Sequence, residues 1–118
     1  MAYNHIDIDF METFYDGNDD FKGKMISLFI EKSPIYMNDI NEHLEQKNLE
    51  NVAAVAHKFK ASIDFVGARK FKEVVTEIEK NAKGGDTELV ADLVVSADAL
   101  WQEVISELTI ELSRLKPE

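Results

Sequence analysis

Apolar residues recur at three- and four-residue intervals along almost the whole chain, and period-two alternation is scarce. That rhythm predicts helices throughout. A short first helix is expected over about Asp9 to Tyr15, carrying Phe10, Met11 and Phe14, before DGNDD breaks it. A second helix starts near Asn18 or Asp19, residue types that cap helices well. Its apolar positions are Phe21, Met25, Leu28 and Phe29, then Met37, Ile40 and Leu44 beyond the interruption SPIY. Ser33 suits a cap and Pro34 a first helical position there, so the stretch reads as one bent helix or as two in succession.

After QKNLE the pattern resumes from about Leu49, with Val52, Val55, Ala56, Phe59 and Ile63 toward a core and Gly67 as the stop. The next helix carries Phe71, Val74, Val75, Ile78 and Ala82 and ends at KGGD. The last runs from about Glu88 to Leu115 on a stripe of Val90, Leu93, Ala97, Leu100, Trp101, Val104, Leu108, Leu112 and Leu115. At 1.5 Å per residue it is roughly 40 Å long, longer than its expected partners, so it is expected to break or project. Short connections between long amphipathic helices imply antiparallel neighbours. The fold class is therefore all-α: an antiparallel up-and-down four-helix bundle with a short additional N-terminal helix, one domain over residues 1–118.

Composition narrows the classes of function. The chain has no cysteine, which excludes disulfides, cysteine-bound zinc and thiol chemistry. The start, MAYNHIDIDF, has neither a basic cluster nor an apolar run, so no signal peptide is expected. No window approaches the roughly 20 apolar residues of a membrane helix, and acidic polar faces give no support for lipid binding. A cytoplasmic protein is the expectation. The net charge of −10 argues against nucleic acid as a partner. The charge is uneven, however. From His57 to Lys72 there are five basic residues and one acid, a local +4, which leaves −14 on the rest.

That basic window contains AHKFKASIDFVGA, residues 56–68. With Leu49, Val52, Ala56, Phe59 and Ile63 buried, His57 lies about 100° round the helix from Ala56. Its neighbours three and four residues away are Ala53, Ala54, Lys60 and Ala61. Alanines leave an imidazole open to something bulky, and Lys60 can reach an anion placed on the ring. Asp64 is two turns on, about 10 Å along the axis. A neutral imidazole is a nucleophile near pH 7, and Lys58 and Lys60 favour the neutral ring. A phosphoryl group on it needs a cationic donor, which Lys60 supplies. No general base, metal cluster or phosphate-cradling glycine loop is evident. Such a site carries a phosphoryl group but does not take one from ATP unaided. His5 and His43 read as surface or boundary residues, His43 sharing a solvated face with Asp39 and Lys47. Phe59, Phe65 and Phe71 read as core, and Trp101 as core or boundary. Glu-x-x-His pairs, the mark of a di-iron bundle, do not occur.

The same stretch resembles the signature of histidine-containing phosphotransfer domains, matching at Ala56, His57, Phe59, Lys60, Ser62, Val66, Gly67 and Ala68. The helix plan looks similar over almost the whole chain. The resemblance implies that His57 is the phospho-acceptor, that Lys60 stabilises the phosphate, and that Gly67 stops the helix so that the next packs back. Ala53, Ala54, Lys58, Ala61 and Asp64 would form the docking surface. Two positions depart from the family pattern. Ala61 stands where glycine is usual, which adds a methyl in the path of a partner. Asp64 replaces a small or amide residue, and is expected to contact a partner or to favour the protonated ring.

The function this implies is a phosphorelay intermediate, not an enzyme. It accepts a phosphoryl group from an aspartyl-phosphate receiver domain and passes it to another. The implied partners are response-regulator receiver domains and a hybrid sensor histidine kinase. No cofactor is implied on this chain, because the magnesium belongs to the receiver. A monomer is expected. An interaction-only bundle that binds a kinase or receiver without carrying phosphate is the alternative. The phospho-acceptor domain of a chemotaxis kinase is a third reading. In that case the kinase is expected to be a separate molecule, because the chain stops at Glu118. The first helix is expected to cap one end of the bundle, or else to give part of its apolar surface to the partner.

Overall fold

The computed structural model describes residues 3–115; the outermost residues of the expected 1–118 domain lie outside them. Five helices follow in order: α1 (Ile8–Tyr15), α2 (Asp19–Glu45), α3 (Leu49–Asp64), α4 (Arg69–Lys83) and α5 (Thr87–Leu115). No strand is present among the described residues. The caps are those the sequence offers. Asp7, Asn18, Asn48 and Asp86 each accept a backbone N–H three residues on, at 3.0–3.2 Å. Each satisfies an N–H that the first helical turn leaves unpaired.

The four long helices form a closed ring of neighbours, in which α3 packs on α2 and α4, and α5 packs on α4 and α2. The core runs between them through Ile26, Met37, Val52, Phe59, Val75 and Val104. Phe59 is its hub, stacked on Phe29 and Tyr36 and met edge-on by Phe71. Several expected core positions are turned aside. Phe21 and Leu28 stay nearly half exposed, and Ile26 takes the buried place between them. On α5, Val94 is buried where Leu93 had been expected to lead.

The SPIY interruption does not divide α2, and Ser33 is not a cap. The helix continues through Pro34. Ser33 is buried, and its hydroxyl accepts a 2.8 Å hydrogen bond from the Trp101 indole N–H on α5. Packing against α3 and α5 outweighs the one helical hydrogen bond that proline removes.

The last helix neither breaks nor projects. It has 29 residues against 27 in α2, and the molecule's longest dimension is 47 Å. The two long helices therefore run side by side, and the shorter α3 and α4 cover only part of them. The N-terminal strap and α1 cover the rest. Glu107 accepts the backbone N–H groups of Asn4, His5 and Ile6 at 2.8–3.1 Å. Below the strap, buried Lys22 of α2 reaches Glu111 of α5 and Glu12 of α1, at 2.8 Å each. The second Glu111 oxygen takes Tyr3 and Arg114. Burial works against the charges on both Lys22 and Glu111. Burial is the largest single influence, but the hydrogen bonds and charges of the partners (Glu111 and Glu12 on Lys22, Lys22 and Arg114 on Glu111) together outweigh it, so the lysine pKa is raised and the carboxyl pKa lowered.

Candidate functional site

α3 ends at Asp64, and Gly67 makes the return with φ +65°. A side chain there would meet Phe10 at 3.0 Å and the Asp7 carbonyl at 3.3 Å. The Gly67 carbonyl also accepts the Asp7 N–H at 3.2 Å. Gly67 therefore turns the chain and seats the start of α1. Tyr15 adds a second tie, its hydroxyl donating to the Phe65 carbonyl at 2.6 Å. Burial pushes the Tyr15 pKa up to about 12. With Met11 and Tyr15 buried, α1 closes the end of α3, as expected of a cap, while Phe14 stays 49% exposed.

The turn brings α4 back along α3 and places Glu79 under His57. His57 is exposed, with 69% of its side chain open, whereas the Glu79 side chain is 7% open. The Glu79 Oε2 lies 3.0 Å from His57 Nδ1. Its Oε1 takes Lys60 Nζ at 2.6 Å, and Oε2 also takes Lys83 Nζ at 3.0 Å. The Lys60 hydrogen bond is the chief reason that the Glu79 carboxyl titrates at about 2. Burial opposes it, and Lys83 and His57 add to it. The carboxylate is therefore ionised at neutral pH and can only accept. Nδ1 must then carry the proton, which leaves the lone pair of a neutral ring on Nε2. Among the described residues Nε2 has no partner.

Beside the ring lies an open hollow of about 590 Å³, floored by Ala53, Ala54 and Ala82 and rimmed by Glu50, Lys58 and Lys83. Ala54, Lys58 and Ala61 are exposed, as a docking surface requires. Ala53 is not: at 4% exposure it belongs to the α3–α4 packing and only floors the hollow. Asp64 does not reach the ring. Its carboxylate pairs with Lys72 of α4 at 2.7 Å, so the acid that touches His57 is Glu79. Lys60 does not stand free in solvent but lies on Glu79. Glu79 and Lys83 were missed by reading α3 alone. A signal existed, since Glu79 falls in register with Val75 and Ala82 on the buried stripe of α4, an unusual place for a carboxylate. His5 and His43 sit at the boundary, half-buried, His5 with Nε2 2.6 Å from Glu103. His43 is less open than a solvated face implies. Phe59 and Phe71 are core, but Phe65 is half-buried against Phe14.

Comparison with known proteins bears on the fold and the family. Among solved structures, the chain is similar to the crystal structure of histidine-containing phosphotransfer protein B (HptB) from Pseudomonas aeruginosa PAO1. The TM-score is 0.89 at 18% identity, covering 96% of this chain and 98% of that one. At that identity the likeness speaks for the fold. A search of the curated proteins gives no match. The family model described as Hpt domain matches residues 24–116, a span that holds His57, Lys60, Glu79 and Lys83. The chain therefore belongs to the Hpt domain family, whose members are phosphocarriers of two-component signalling.

Proposed function

We propose that this chain is a phosphorelay intermediate that carries a phosphoryl group on His57 Nε2. The observation that supports this most is the bond from His57 Nδ1 to a buried, ionised Glu79. The Nε2 lone pair attacks the phosphorus of an aspartyl phosphate on a receiver domain. The bond from phosphorus to the aspartate oxygen breaks, and its electron pair stays on the released carboxylate. Nδ1 keeps its proton, so the ring becomes cationic as the new bond forms. Glu79 faces that developing charge, which is how a carboxylate beside a histidine promotes nucleophilic attack. Running the step backward loads a second receiver. The magnesium and the catalysis belong to the receiver; this chain supplies the nucleophile and no cofactor of its own. Its partners are response-regulator receiver domains and, upstream, a hybrid sensor histidine kinase. It works as a monomer in the cytoplasm.

The test is phosphotransfer. A receiver domain loaded from a small phosphodonor is mixed with this protein, and acid-labile phosphate is mapped. Label on His57, absent from His57→Gln, is the expected result. Receiver binding without label in the wild type would favour the interaction-only bundle instead.

A further inference from the structure

Lys83 lies outside the motif that singles out His57, yet it shares an oxygen with it. Lys83 Nζ and His57 Nδ1 are each 3.0 Å from Glu79 Oε2, so they lie within about 6 Å of one another. We propose that Lys83 is a second phosphate-binding cation: when His57 is phosphorylated, its ammonium leaves Glu79 and takes a phosphoryl oxygen. This rests on the reading of His57 as the acceptor.

Three observations carry it. The first is charge. In the resting site two ammonium groups face one carboxylate and a neutral ring, a surplus of +1. A phosphoryl group on Nε2 brings close to −2, and the ring that keeps its Nδ1 proton brings +1. The cluster then sums to about zero. Without Lys83 it would be left near −1 around a buried carboxylate. The second observation is freedom to move. The Lys60 side chain is 24% exposed and held on the opposite oxygen, whereas the Lys83 side chain is 66% exposed. Only the lysine end of this pair lies in solvent, but Lys60 stays on the carboxylate when Lys83 leaves, so the exchange does not strand Glu79. The third is position. Lys83 rims the hollow beside the ring, where Glu50 and Lys58, also exposed, offset each other. Glu79 does not need Lys83 for neutrality, because Lys60 already holds it at 2.6 Å.

The experiment is a ³¹P NMR titration of the phosphorylated protein, with the ¹⁵N signals of His57 recorded in the resting protein. A cation on the phosphoryl group favours its dianion. In Lys83→Gln the phosphoryl titration should therefore move up by about half a pH unit. The phosphohistidine half-life at neutral pH should shorten severalfold. Lys83→Arg should restore both, and the resting Nδ1–H signature should be unchanged. A titration in Lys83→Gln identical to wild type would overturn the proposal. So would a shift accompanied by loss of the resting Nδ1–H signature, since Lys83 would then act only as a prop for Glu79. A wild-type protein that takes no phosphate at all would bring down the reading of His57 itself, a separate and recognisable failure.

Discussion

Glu79 does two things with one carboxylate: it sets which ring nitrogen of His57 is free, and it gathers Lys60 and Lys83 beneath the ring. Replacing it with glutamine keeps a hydrogen-bond acceptor but removes the charge. A hydrogen bond to a charged group is worth about 1.5–3 kcal/mol, so Glu79→Gln should slow phosphoryl acceptance by roughly tenfold or more with the fold intact. Stopped-flow transfer from a loaded receiver measures this, and an unchanged rate would remove Glu79 from the reaction. The pH dependence has a definite sign. The Glu79 carboxyl is lowered from 4.5 to about 2, so its stabilising contribution is complete above pH 4.5 and is lost as pH falls through 2. A ¹³C carboxyl titration should find that midpoint, and Lys60→Ala should move it up. The sequence pattern brought His57 and Lys60 together because both lie on one helix, in one register. It hid Glu79 because that contact spans 22 residues and depends on how α3 and α4 face each other. Ala53 illustrates the same limit. On a helical wheel it flanks His57, and only the position of α4 shows that this flank is buried.

Among the elements, the α3–α4 turn is the one that makes the site. Gly67 holds φ +65° while its missing side chain leaves room for Phe10. Gly67→Ala should therefore cost about 1–3 kcal/mol, read in a urea melt. Part of that should appear as loosening of α1, visible in hydrogen exchange of the Asp7 amide that Gly67 accepts. A cost under a few tenths of a kcal/mol would show that the turn relaxes freely. Helix positions were legible in sequence because caps and glycine stops are local chemistry. The continuity of α2 was not. Pro34 is a local signal for a break, and packing of α2 on α3 and α5 overrides it, with Ser33 meeting Trp101 from much later in the chain.

At the scale of the whole molecule, two long helices need more cover than α3 and α4 provide. The strap and α1 supply it around the buried Lys22–Glu111 pair. Both side chains are 2% exposed, so removing one strands the other. Glu111→Ala should destabilise the protein by about 3–5 kcal/mol, measured by urea unfolding. A loss under 1 kcal/mol would mean that Glu12 alone satisfies Lys22. The bundle class could be read from periodicity and short connections. This ion network could not, because Lys22 and Glu111 each look like ordinary surface residues of an amphipathic helix.

The Ser33–Trp101 bond also equips the molecule with its own optical reporter. The chain has one tryptophan, and it sits on the α2–α5 seam, across the ring of helices from the α3–α4 seam that holds His57. Its emission therefore has a single source. Opening of that seam would shift the emission to the red, while events confined to His57 would leave it silent. Folding can thus be followed without attaching a dye, and a red shift on loading His57 would mark a change that reaches beyond the α3–α4 seam.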